Sequence, residues 1–234
     1  MGYYAGEITY DTKADLSPVT IADKKAEEII IQTIKESFPD HSFFGEEFGE
    51  QSNDSSYIWV IDPIDGTRNF SRHVPLFATQ IALMKDGEFI LGVSNAPAIN
   101  ELIYAEKGKG AYFNQSKLKV SDIDSLEKSY FSYGGIKHFI SRQIMGQFTN
   151  LVAHTMSQRG LGDAWSYHLL AQGKIDIMIE AKGRIWDFAA LKVIVEESGG
   201  KVTDLSGNQL NLESTSAVAT NCLLHSDVIK IMNK

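Results

Sequence analysis

The stretch Trp59-Val60-Ile61-Asp62-Pro63-Ile64-Asp65-Gly66-Thr67 concentrates chemistry in nine residues. A compact apolar run of β-formers, Tyr57 to Ile61, stops at Asp62-Pro63, and a second acid follows three residues after the first. Strand ends in layered folds are where sites assemble. Pro63 fixes the backbone between the acids. Gly66 lets a ligand approach the main chain closely. Thr67 opens a short helix whose first N–H groups suit a phosphate. A plain turn capped by aspartate would need only one acid. Two acids beside anion donors suit a metal ion and a phosphate held together.

Three further acidic features stand elsewhere: Phe44-Gly45-Glu46-Glu47, Asp23 near a helix start, and Trp186-Asp187-Phe188-Ala189-Ala190 opening an amphipathic helix. Alone, the first reads as a solvated turn and the others as helix caps. Together they suit Mg²⁺, a hard cation that takes carboxylates, waters and substrate phosphate. Other chemistries lack their residues. The six histidines are scattered, with no Cys/His pattern of zinc spacing. There is no P-loop, no G-x-G-x-x-G and no G-x-S-x-G elbow.

The elements that must position these residues follow from patterning. Ala22, Ala26, Ile29, Ile30 and Ile34 recur at helical spacing, which predicts a helix over 20–37, preceded by Ser17-Pro18 and ended by Pro39-Asp40. A short strand covers 42–44. A meander follows at about 77–84, 88–95, 101–106 and 110–113, with Asp86-Gly87 as a hairpin turn. That half is α+β in type. Beyond about 120, helices near 164–172, 187–198 and 225–233 alternate with strands at 175–179 and 217–219, an α/β pattern. The boundary falls in 116–129. It gives a half 1–120 with most of the acids and a half 121–234 with Asp187 and substrate-side residues. Only a loop at Gly134-Gly135 is assigned within 130–160.

The chain has 234 residues, 22 Lys+Arg and 30 Asp+Glu, for a formal charge of −8. A hydrophobic fraction of 43% suits a folded core. The acidic balance argues against nucleic acid, and a nuclease would want a basic groove with stacking aromatics. The longest apolar run has five residues, against about 20 for a membrane helix. The first residues show no secretory signal. The single cysteine, Cys222, cannot form an internal disulfide, which favours a reducing cytoplasm.

The Gly45-Glu46-Glu47, Asp62-Pro63-Ile64-Asp65-Gly66-Thr67 and Trp186-Asp187-x-Ala-Ala stretches resemble the three signatures of the inositol monophosphatase family. Those are Mg²⁺-dependent, lithium-sensitive phosphomonoesterases. The resemblance runs from about Lys13 to the C-terminus and includes Glu196 to Gly207. It implies a layered αβαβα sandwich and a homodimer. By resemblance, Glu46, Asp62 and the carbonyl of Ile64 would hold one Mg²⁺. Asp62, Asp65 and Asp187 would hold a second, and Glu46 would help with any third. Thr67 with Asp23 would orient and deprotonate the attacking water. Gly66 and Thr67 N–H groups would grip phosphate, and Glu180 would contact the alcohol. Such paired metals stabilise attacking and leaving oxygens, and phosphoryl transfer needs charge neutralisation more than a covalent nucleophile. Two Mg²⁺ would take the formal charge from −8 to about −4.

Within the family the chain looks closer to the histidinol-phosphatase-like branch. The supporting stretches are Lys13 to Asp23, Arg68-Asn69-Phe70-Ser71-Arg72-x-Val74-Pro75, and Gly160 to Tyr167 with Asp163. Histidinol carries an ammonium that a carboxylate at Asp163 would complement; the alternative for Asp163 is a helix cap. Arg68 and Arg72 either steer phosphate or are surface charges. The substrate candidates are histidinol phosphate, inositol phosphate, and then sugar bisphosphates or 3′-phosphonucleotides. A moonlighting interaction protein on the same fold is a different class, against which the intact acid set argues. Family members carry about one more helix before the Lys13 segment. A thinner cover of apolar surface near the first sheet is therefore expected.

Overall fold

A computed structural model describes residues 1–6, 8, 10–12 and 18–234. Lys13 to Ser17, the start of one branch-like stretch, lie outside the described residues. A small antiparallel pair, β1 (Tyr10–Thr12) and β2 (Pro18–Thr20), leads into α1 (Ile21–Ser37). α1 starts where predicted because Thr20 and Asp23 cap it reciprocally. The Thr20 hydroxyl accepts from the Ala22 and Asp23 N–H groups, and Asp23 Oδ2 accepts from Thr20 N at 2.7 Å.

The larger sheet has eight strands: β3 (Ser42–Gly45), β4 (Gly49–Gln51), β5 (Tyr57–Asp65), β6 (Ala78–Lys85), β7 (Glu88–Ala96), β8 (Glu101–Glu106), β9 (Gly110–Phe113) and β10 (Ser116–Lys117). Their order is β10-β9-β8-β7-β6-β5-β3-β4, with β3 parallel to β5 and the meander antiparallel. Between β5 and β6, the one-turn α2 (Thr67–Phe70) follows Gly66.

The predicted stop at Asp62-Pro63 is corrected: β5 runs on to Asp65. Pro63 has no N–H to give the ladder, so the register breaks after Asp62↔Gln80 and resumes at Asp65↔Ala78. Asp62 and Asp65 thus sit on a strand that is paired but irregular at its end.

The second sheet has five strands, ordered β12-β11-β13-β15-β14. They are β11 (Tyr130–Tyr133), β12 (Ser157–Arg159), β13 (Ile177–Glu180), β14 (Lys201–Thr203) and β15 (Ala217–Thr220). β11 lies parallel to β12 and β13, while β15 is antiparallel to β13 and β14. The unassigned region 130–160 is a crossover: β11, α3 (Ile136–Ser141), α4 (Met145–His154), then β12. Gly134-Gly135 is the loop between β11 and α3.

Between the sheets lie α5 (Asp163–Ala171) and α6 (Ile185–Glu197); α7 (His225–Met232) packs outside the second sheet with α4. The layers therefore run α1, eight-stranded sheet, α5 with α6, five-stranded sheet, then α3, α4 and α7. α6 is not the amphipathic helix expected. Ile185, Phe188, Ala189, Ala190, Leu191, Val193, Ile194 and Val195 are all buried, because a helix sandwiched by two sheets must be apolar nearly all round. Beyond α1, the outer face of the larger sheet carries Leu102 and Tyr104 at 39% and 37% exposure beside Leu91 and Val93.

Candidate active site

The acids picked out from the sequence arrive at one place from three elements. Asp62 and Asp65 come from the end of β5, Glu46 from the turn after β3, and Asp187 from the first turn of α6. Glu46 N donates to Ile61 O at 3.1 Å, which hangs the turn on β5 beside Asp62. The Phe44 and Trp186 rings lie 5.4 Å apart and join β3 to the start of α6. Asp187 Oδ2 accepts from Arg184 N at 2.8 Å, so the helix start fixes that carboxylate.

The electrostatics are those of buried acids crowded together. Burial holds Asp62 well above the ordinary carboxylate range, and the charges of Glu46, Asp65 and Asp187 push it further. Burial, then Asp163 and Asp187, do the same to Asp65. Burial raises Asp187 to about 7, with Glu46 adding to it and the Arg184 N–H working against it. The donor set is all oxygen, which fits a hard divalent cation. Among the described residues, no three Asp, Glu, His or Cys side chains already form a finished metal cage.

Thr67 and Asp23 meet across 44 residues of sequence. The Thr67 hydroxyl lies 3.2 Å from Asp23 Oδ1 and 3.0 Å from Ile64 O, both acceptors. Asp23 is fully buried, and its Oδ2 is held by Thr20 N and by the Thr20 hydroxyl at 2.6 Å. Gly66 has φ +85°, and a Cβ there would meet Leu76 O at 3.0 Å. Both facts call for glycine at the N-terminus of α2.

The substrate-side residues face the same acids. Asp65, Asp163, Glu180 and Asp187 line a cavity of about 130 Å³ with Gly135, His138, Ala164, Tyr167, Lys182 and Phe188. Asp163, at φ +43°, is the first residue of α5, and Gly162 takes the cap position before it. Its Oδ2 accepts from Asn69 Nδ2 at 3.1 Å, next to Gly66. Ala164 N, in the first turn of α5, donates to Asp65 Oδ2 at 2.8 Å. Burial raises Glu180 well above its usual range, as do the charges of Asp163, Asp65 and Asp187.

The family model described as "Inositol monophosphatase family" matches residues 1–234. The chain belongs to the inositol monophosphatase family. Its phosphatase relatives are phosphoric monoester hydrolases, and it is an enzyme of that class. It is 38% identical to a histidinol-phosphatase of Mycobacterium tuberculosis over 232 residues, covering 97% of this chain and 89% of that protein. It is 37% identical to a fructose-1,6-bisphosphatase/inositol-1-monophosphatase of Thermotoga maritima, covering 92% and 82%. A solved IMPase structure from Thermotoga maritima superposes with a TM-score of 0.86 at 35% identity, covering 96% of this chain and 87% of that one. Enzymes of the inositol monophosphatase family generally depend on Mg²⁺.

In this inositol monophosphatase family member, sequence reasoning missed the cavity's other walls. Among the described residues, the Tyr167 hydroxyl is buried without a hydrogen-bond partner beside the acids. His138 sits at the cavity with its pKa lowered, first by burial and then by Lys137, Lys182, Arg68 and Arg142. Gly134 presses on Glu180, and a Cβ there would overlap the Glu180 carboxylate. The Gly134-Gly135 pair was the one available signal, since adjacent glycines between a strand and a helix mark close approach.

Proposed function

We propose that this chain hydrolyses histidinol phosphate to histidinol and phosphate, with Mg²⁺ held by Glu46, Asp62, Asp65, Asp187 and the carbonyl of Ile64. We read two ions into this donor set, with Glu46 helping to hold any third. Mg²⁺ bound there supplies acidified water and neutralises phosphoryl charge. The chain's own residues do the rest. Asp23 Oδ1 and the Thr67 hydroxyl orient the attacking water and take its proton, and Asp23 cannot swing away because Thr20 holds its other oxygen. The Gly66 and Thr67 N–H groups receive the phosphate at the start of α2. Glu180 and Asp163 receive the alcohol.

The observation that carries histidinol is the carboxylate of Asp163, which lines the cavity and is turned towards Asn69 beside Gly66. An ammonium pairs with such an acid. A second reading, inositol phosphate, draws support from the Thermotoga relatives and from Lys182 at the cavity wall, which suits a neutral polyol better than a cation. Release of phosphate from both esters, with and without Mg²⁺ and Li⁺, tests the proposal. Histidinol phosphate is expected to turn over faster, and Asp163→Ala to remove that preference. Faster hydrolysis of inositol 1-phosphate, unchanged in Asp163→Ala, refutes it. We further propose a cytoplasmic, lithium-sensitive homodimer with halves 1–120 and 121–234. No helix among the described residues is long and apolar enough to cross a membrane.

A further inference from the structure

Glu27 is a charged residue with no exposed surface, on the buried stripe of α1 with Ala22, Asp23 and Ile31. A carboxylate in such a place needs hydrogen-bond partners. Its partners are main-chain donors of the turn that carries Glu46. Glu47 N donates to Glu27 Oε2 at 2.9 Å, and Phe48 N donates to Glu27 Oε1 at 3.1 Å. With Glu46 N bonded to Ile61 O, all three N–H groups of the turn are fixed. The contact also constrains Gly45, where a Cβ would overlap Glu27 Oε1.

We propose that Glu27 is a positioning residue: its carboxylate clamps residues 46–48 so that the Glu46 side chain is held against Asp62. The clamp spans three layers of dependence. α1 places Glu27, Glu27 places the turn, and the turn places a metal ligand. The same helix places Asp23, so one rigid element sets both the water-side acid and the metal-side turn. This inference rests on the reading of Glu46 as an Mg²⁺ ligand.

Glu27→Gln keeps one acceptor oxygen and turns an NH₂ donor towards the other N–H, so one of the two clamping bonds is lost. Gly45→Ala attacks the same contact from the strand side. Partners outside the ligand shell typically cost 10–100-fold in metal affinity, and a clamp acting through the main chain is expected at the low end, about 10-fold. The test is calorimetric Mg²⁺ binding to the purified chain without substrate, together with amide exchange at Glu47 and Phe48. Glu46→Gln serves as a reference and Glu28→Gln, on the exposed side of α1, as a control.

Expected results are weaker Mg²⁺ binding and faster exchange at Glu47 and Phe48 in both clamp variants, with kcat recovered by excess Mg²⁺. Glu28→Gln should behave as wild type. Wild-type Mg²⁺ affinity in a folded clamp variant overturns the proposal; if Glu27→Gln fails to fold, Gly45→Ala decides. If Glu46→Gln also binds Mg²⁺ normally, the ligand reading itself falls and takes the clamp with it. Loss of binding in Glu46→Gln alone removes only the clamp.

Discussion

Replacing Asp187 by asparagine should make the metal-free protein more stable at neutral pH while destroying the enzyme. Burial, with Glu46 nearby, lifts Asp187 from an ordinary 3.8 to about 7. The folded state therefore keeps a proton that the unfolded chain has already released. Stability from this group is full below about pH 4, falls as pH rises towards 7, and stays low above that. At about 1.36 kcal/mol per pH unit, the penalty in wild type reaches ~4 kcal/mol at pH 8. That is a ceiling, because Asp62 and Asp65 share the same repulsion and protonation of one relieves the others. Asparagine removes the penalty but keeps an acceptor for Arg184 N, bonded at 2.8 Å in wild type. Losing the negative charge from the first turn of α6 costs only about 0.3–1 kcal/mol, so relief of repulsion wins. The assay is urea unfolding in EDTA at pH 5, 6.5 and 8. The variant should gain up to ~3 kcal/mol over wild type at pH 8, and the gain should shrink at pH 5. Mg²⁺ at a hundred times its dissociation constant should stabilise wild type by about 2.7 kcal/mol and the variant much less. No gain at pH 8, or a gain of equal size at every pH, refutes the argument.

Asp62→Asn should abolish phosphate release while the far-ultraviolet circular dichroism stays that of wild type; wild-type-like turnover would remove Asp62 from the metal set. Thr67→Ala takes away the hydroxyl that lies 3.2 Å from Asp23 Oδ1, and steady-state kinetics should show kcat down by ~10²–10⁴-fold with KM little changed. Gly66→Ala, at φ +85° and facing Leu76 O, should lower stability in urea unfolding by more than about 1 kcal/mol.

What could be read from the chain depended on how local the physics was. α1 and the meander came out within a residue or two, because helical spacing and the Asp86-Gly87 turn, both residues at positive φ, are local signals. β5 was cut short because a proline normally ends a strand; here the neighbouring β6 resumes its pairing past the break. α6 was misjudged because its pattern of apolar residues depends on what lies on its second side. α3 and α4 went unassigned since α3 is six residues long and α4 buries only Phe148 and Leu151. The metal-side acids were legible as hard-cation donors from their type and placement, and resemblance to known signatures tied them to one site. Glu27, His138 and Lys182 belong to no signature or branch-like stretch, and only the folded chain brings them to the site.

Asp23 and Asp187 show why a cap and a catalytic acid need not be competing readings of one residue. Each stands at the third position of its helix, and each uses Oδ2 to bond the main-chain N–H three residues back. That bond satisfies a backbone donor at the helix entrance and stops the carboxylate from rotating. The other oxygen is left outside the cap. In Asp23 it is Oδ1 that meets Thr67. A carboxylate held by one oxygen and offered by the other is already oriented before any ligand arrives, so little orientational freedom remains to be lost on binding. Capping supplies the rigidity that the chemistry needs, and the acid at a helix start is a sound place to look for a working residue when a second acid faces it from a strand end.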